Sequence, residues 1–325
     1  MTVFGLARLH VAVLAIALGN IAQAQPQASF PTKALRIIVP FTAGSGADAD
    51  SRFYGELLSR KLGQPVIVEN RPGASGVIAV RAVKAAQADG HTMLIATSSP
   101  MSVNAVALKD LPYDPFVDFK PLVGVAVNPA AFFVRVDAPS RTIGELVNTA
   151  KQERRPVAVG NYSAGYQLMA AWLGTSSGAE INHISYKGGA QMITDVLGGQ
   201  LETAVTDPSA IISMHKEGRL RIIATTGSKR METLPEVPTL IESGYAGYET
   251  YIWSSFFVRS ETPRDVTKKL MESLVEIMRT PEAVTYRKER GQTQLDLQGD
   301  DMRSFQVREF ERFKRVAESV NFRKQ

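Results

Sequence analysis

The chain has 325 residues, 37 Lys and Arg against 32 Asp and Glu, no cysteine, and 44% hydrophobic residues. That length supports two domains with a core in each, and the composition excludes fibrous and disordered classes. Zero cysteines exclude disulfide scaffolds, thiolate metal sites, iron–sulfur clusters and cysteine nucleophiles, and a dispersed charge of +5 without a basic run excludes a nucleic-acid partner.

The N-terminus reads as an export leader over residues 1–24. Arg8 is its basic element, 11–18 is an apolar run too short to span a bilayer, and Ala22-Gln23-Ala24 places small residues at a cleavage site. The chain is therefore expected to be exported, with cleavage after Ala24; the resemblance given below implies the periplasm as its location.

Strands and helices then alternate. Residues 35–39 read as the first strand. A helix follows with Phe53, Leu57, Leu58 and Leu62 on one face, ended by Gly63. Strands are read at 66–68, 93–96, 132–136, 157–159, 204–205 and 222–224, and helices at 78–88, 143–152, 167–173, 193–197 and 211–217. This rhythm predicts parallel sheets covered on both faces. The segments 266–278 and 302–320 predict long amphipathic helices packed outside a sheet.

Two strand–helix joints can hold an anion. The first runs Pro40-Phe41-Thr42-Ala43-Gly44-Ser45-Gly46-Ala47-Asp48, the second Gly160-Asn161-Tyr162-Ser163-Ala164-Gly165. Small residues at a helix N-terminus turn tightly and present unpaired N–H groups to a carboxylate or phosphate. One joint in each half of the chain suggests a grip from both sides of a cleft, at the carboxyl ends of the strands.

Both joints also imitate enzyme motifs. Gly44-Ser45-Gly46-Ala47-Asp48-Ala49 fits a dinucleotide fingerprint with Glu69 as the acid, but four residues separate the strand from its first glycine. Ser163 sits as in a nucleophile elbow, with His183 and His215 as the available bases, so a secreted serine hydrolase is the rival reading. His10, His91, His183 and His215 are too scattered for a metal site, Asp48 and Arg52 are spaced for a local ion pair, and Asp110, Asp114 and Asp118 read as turn caps.

The segment Val39-Pro40-Phe41 through Asp48, with Arg52, resembles the opening of the Bug-type (TctC family) periplasmic receptors of tripartite tricarboxylate transporters. The likeness continues through Gln64-Pro65-Val66, Glu69-Asn70-Arg71-Pro72-Gly73, Asp89-Gly90, Tyr186-Lys187-Gly188-Gly189, Gly198-Gly199-Gln200, Gly218-Arg219-Leu220 and Leu234-Pro235-Glu236-Val237-Pro238-Thr239. The matches keep family order over nearly all of 30–320.

The resemblance implies an α/β, two-domain periplasmic-binding-protein-like (type II) fold with a hinge and an interdomain ligand cleft. Domain 1 would hold 27–125 and 252–325, and domain 2 would hold 126–251. It implies a non-enzymatic receptor without cofactor or metal, whose partners are a small organic acid and membrane permease subunits, or a membrane signalling protein in a sensor variant. Its ligand site would comprise Phe41, Thr42, Ala43, Gly44, Ser45, Gly46, Ala47 and Asp48 in the first loop, and Tyr162, Ser163, Ala164 and Gly165 in the second. Ser98, Lys187, Gly188, Asp207 and Trp253 complete the set. Ser45 and Ala79 stand where the family favours glycine. Asp207 adds an acid that either reads an amino or protonated group or caps the turn before Pro208.

Overall fold

The computed structural model describes residues 30–324. The export leader read over 1–24 lies outside them. From Lys33 onward the chain forms one compact unit, to which the following description applies.

The first third alternates as the hydrophobic spacing predicts: β1 (Leu35–Val39), α1 (Gly46–Leu62), β2 (Val66–Asn70), α2 (Val77–Lys84) and β3 (Thr92–Thr97). Helix α1 stops where Gly63 turns left-handed at φ 68° and its amide reaches the Ser59 carbonyl. A single π turn, Ser99–Val103, and the short α3 (Asn104–Ala107) lead to β4 (Phe119–Pro129) and β5 (Ala131–Arg135). Then come α4 (Ile143–Gln152), β6 (Val157–Asn161), α5 (Ala164–Ser177), β7 (Ile181–Ser185), α6 (Gly189–Leu197) and β8 (Thr203–Thr206). The last part holds α7 (Ile212–Lys216), β9 (Leu220–Thr225), β10 (Tyr251–Arg259), α8 (Arg264–Met278), α9 (Pro281–Glu289), β11 (Thr293–Gln294) and α10 (Gly299–Ser319).

These strands build two sheets, ordered β11-β4-β10-β3-β1-β2 and β7-β6-β8-β5-β9. The chain crosses from the first to the second at Ala130 and returns after β9 to enter β10. The expectation of parallel sheets is corrected. Only β1 with β2 and β3, and β6 with β7 and β8, pair in parallel. Strand β10 runs antiparallel to β3 and β4, and β5 runs antiparallel to β8 and β9. The physical reason is that a chain passing between two sheets enters each from the far end, so the crossing strands run against their neighbours.

The core of the first sheet is packed by Ile38, Leu94, Phe119, Trp253 and Phe257 against Val80, Val83 and Met302. Helix α10 lies on β4 and buries Met302 and Phe313, as its apolar spacing predicts. No helix among the described residues is long and apolar enough to cross a membrane.

Candidate functional site

The first joint closes on itself through a short network. Gly44 is left-handed at φ 83°, and its amide donates to Asp48 Oδ2 at 3.0 Å. Ser45 caps α1, its hydroxyl accepting the Asp48 amide at 3.2 Å, while its own amide donates to the Thr42 carbonyl. The Asp48 carboxylate also takes Arg52 at 2.9 Å and Asn70 Nδ2 at 2.9 Å. Burial pushes its pKa up, but the Gly44 amide, Arg52 and Asn70 outweigh that and hold it below the usual range. Asp48 therefore belongs to the cap. The amides of Gly46 and Ala47, first in the helix, have no acceptor within it.

The second joint is sealed from the opposite sheet. The Ala164 amide donates to Ser75 Oγ at 2.7 Å, and the Gly165 amide donates to Ser99 Oγ at 3.1 Å. Ser99 in turn donates to Ser163 Oγ at 2.9 Å. Tyr162 turns the other way. Its ring meets Phe41 edge-on at 5.3 Å and Tyr166 at 4.9 Å, and its hydroxyl lies 3.1 Å from Thr206 Oγ1. Burial pushes the Tyr162 phenol up to about 12.

Between the joints lies a narrow cavity. Phe41, Ser45, Gly46, Ala47 and Asp50 line it from the first joint and α1, and Thr97, Ser98 and Ser99 from the end of β3. Ala126 and Asn128 contribute from β4, and Ile252, Trp253 and Ser254 from β10. Tyr162, Tyr166 and Asp207 close it from the second sheet. The cavity thus sits at the carboxyl ends of β1, β3, β6 and β8, where α/β sheets collect ligands.

Its two acids are held differently. Asp50 is 2% exposed; Tyr286 donates to its Oδ1 at 2.9 Å, and Gln292 Nε2 lies 3.1 Å from the same oxygen. Burial raises its pKa to about 6, against the pull of Gln292, Arg290 and Tyr286, and the Asp207 charge pushes it further up. Asp207 accepts the Ser209 amide at 2.9 Å. It keeps a path to solvent, yet dense surroundings raise its pKa as well.

Residues 51–322 match the model of the tripartite tricarboxylate transporter family receptor. The chain belongs to that family. A UPF0065 protein of Bordetella bronchiseptica is 34% identical over 278 residues, spanning 85% of this chain and 82% of that protein. BugT of Bordetella pertussis is 29% identical, covering 94% of each chain. Among solved structures, the periplasmic binding protein BugD superposes with a TM-score of 0.87 at 28% identity, over 91% of this chain and all of that one. An R. palustris protein solved with adipate gives the same TM-score, identity and coverage. The fold is that of the periplasmic binding proteins, and the family is one of solute-binding receptors.

The receptor-family site set separates into three groups in this structure. Phe41, Ser45, Gly46, Ala47, Ser98, Tyr162, Asp207 and Trp253 line the cavity. Asp207 does so while also capping the turn at Pro208, the second of the two roles read for it. Gly44, Asp48, Ser163, Ala164 and Gly165 do not line it, and the polar groups described above are committed to protein partners. Thr42 packs on Gly188, where an added Cβ would lie 2.1 Å from Thr42 Oγ1; Ala43 and Lys187 are exposed and line nothing.

The sequence reading missed Asp50, Tyr166, Asn128, Ser99 and the β10 neighbours of Trp253. A signal for Asp50 was present: it follows Gly46 and Ala47 by four and three residues, which puts all three on one face of α1. Ser163 has Ser99, not an imidazole, as its hydroxyl partner, while His215 faces Glu236 at 2.9 Å. Glu69, the acid of the dinucleotide motif, is engaged by Arg36 and Arg71. Among the described residues no cluster could hold a metal ion.

Proposed function

We propose that this chain is an exported receptor that encloses a small organic carboxylate between its two sheets and hands it to a tripartite tricarboxylate-type permease. The observation that carries the reading is the cavity itself, where the first turn of α1, Gly46 and Ala47, meets Tyr162 and Trp253 at the strand ends of both sheets. The adipate in the R. palustris relative supports a carboxylate ligand.

Two lobes, read from the sequence as 27–125 with 252–325 and 126–251, would move about the crossings at Ala130 and ahead of β10, which puts the first boundary after Pro129, because β4 keeps its pairing with β10 to that residue. Ligand contacts made to both lobes favour the closed arrangement. Export rests on the leader read over 1–24, and mature protein recovered from the periplasm should begin at Gln25.

Thermal shifts on residues 25–325 test the binding claim. The protein is first denatured, dialysed and refolded to strip any carried ligand, then screened against mono-, di- and tricarboxylates. A ligand at about 100 times its Kd adds roughly 2.7 kcal/mol, or several degrees. A selective rise with one acid class is the expected result. No rise with any carboxylate overturns the reading.

A further inference from the structure

Two carboxylates, Asp50 and Asp207, line the cavity, and no Lys, Arg or His side chain lines it. A polycarboxylate would therefore bring further negative charge against two acids with no cation on the wall to meet it. A positive group that acts on both acids is Arg290, which is outside the cavity lining, its guanidinium over the Tyr286 ring at 5.4 Å. One guanidinium faces two acids. Like charges enclosed together are costly unless a cation or proton intervenes.

Neither acid is saturated by the protein. An ionised carboxylate offers about four lone-pair positions. Asp50 receives Tyr286 and Gln292 mainly on Oδ1, with Oδ2 no closer than 3.3 Å to Gln292. Asp207 receives the Ser209 amide on Oδ1 and a hydrogen bond from the Asn128 side chain, which leaves acceptor positions open, and its Oδ2 lies against Gly46, 2.8 Å from where a Cβ would stand.

Residues lining the same cavity carry further donors. The amides of Gly46 and Ala47 are free of intrahelical partners. Trp253, 1% exposed, carries an indole N–H with no protein acceptor. A buried donor left unpaired is costly, and a ligand acceptor would relieve it. The wall thus combines unpaired donors with under-filled acceptors, and Gly46 brings one of each side by side.

We infer that the ligand is a zwitterion, a small carboxylate bearing a protonated amine, with its ammonium between Asp50 and Asp207 and its carboxylate on the donors of Gly46, Ala47 and Trp253. This rests on the receptor reading and narrows its ligand class. Asp50 is the specificity-determining residue, because it is the deeper acid and is fixed by side chains from α9 and the segment beyond it.

Calorimetry on refolded 25–325 tests the assignment with matched pairs: succinate and aspartate, glutarate and glutamate, butyrate and 4-aminobutyrate, benzoate and 2-aminobenzoate. For at least one pair the amine-bearing member should bind tenfold or more tightly than its deaminated counterpart. Asp50→Asn, which keeps the shape and the Tyr286 and Gln292 contacts, should remove that preference while leaving the deaminated member as good or better. Asp207→Asn should do the same, which guards against misfolding of either variant. Equal or tighter binding of every deaminated member overturns the zwitterion and leaves the receptor standing, as does an equal loss for both members in the two Asn variants. Binding of no compound overturns the receptor reading and this inference with it.

Discussion

Ser99 Oγ accepts the Gly165 amide at 3.1 Å from across the gap between the two sheets. That single hydroxyl occupies the helix start where an anion would otherwise sit, and it donates onward to Ser163. Ser75 repeats the arrangement at the Ala164 amide. The sheets are thus joined by direct hydrogen bonds at the base of the cavity, and the second joint acts as a latch more than as a ligand grip.

Ser99→Ala should weaken that latch. It removes the acceptor for the buried Gly165 amide and the donor to Ser163, both groups with little access to water. Leaving buried polar groups unpaired costs about 1–3 kcal/mol. Urea unfolding of the ligand-stripped protein should show a lower midpoint with an unchanged slope. An unchanged midpoint would mean that the Ser99 contacts are replaced by water without loss.

Gly46→Ala should impair binding without unfolding the chain. Gly46 has no positive φ, so alanine is tolerated by the backbone, but its Cβ would lie 2.8 Å from Asp207 Oδ2 and 3.0 Å from Ser209 Oγ. The added methyl must displace the Asp207 carboxylate or hold the sheets apart. Circular dichroism should match wild type while carboxylate affinity drops at least tenfold. Retained affinity would place the ligand elsewhere.

The elements legible in the sequence were those whose hydrophobic period is carried locally. β1 and α4 fall at the residues predicted for them, helped by Thr142 and Glu145, which form a capping box. The strands that fix the topology were missed. β4 contains Pro121, Gly124 and Pro129, which read as breaks, and its pairing with β10 is bulged at Ser254 and Phe256. Gly124 is needed because the Leu295 carbonyl lies 2.5 Å from where its Cβ would be, a long-range contact that no local pattern announces. The same holds for the site. The first joint was readable as a loop of small residues, but Asp50 becomes part of the cavity only when Tyr286 and Gln292 fold back over it from more than 230 positions away.

Lys187→Ala should leave carboxylate affinity within twofold. The sequence places this cation with the ligand set, and an anion receptor invites that assignment, but its side chain is exposed and absent from the cavity wall. An exposed charge at that remove is screened by solvent and salt. Calorimetry at two salt concentrations checks this, and a tenfold loss at both would bring Lys187 back into the site.

Asp50 should leave a signature in the pH dependence of stability. Its folded pKa is raised to about 6 from the ordinary aspartate value of 3.8, chiefly by burial. Between those values the folded chain holds a proton that the unfolded chain has released, so stability falls as pH rises from about 4 through 6 and levels off above it. At roughly 1.4 kcal/mol per pKa unit the difference is about 3 kcal/mol. Carboxylates held low, such as Asp48 and Asp89, work in the opposite sense, so the comparison has to be between variants and not between pH values alone. Asp50→Asn has nothing to ionise at that position. Ligand-stripped Asp50→Asn should therefore gain stability relative to wild type as pH rises from 4 to 7, with the gap in melting temperature opening around pH 5–6. A constant gap across that range would mean that Asp50 ionises in the folded chain as freely as in the unfolded one.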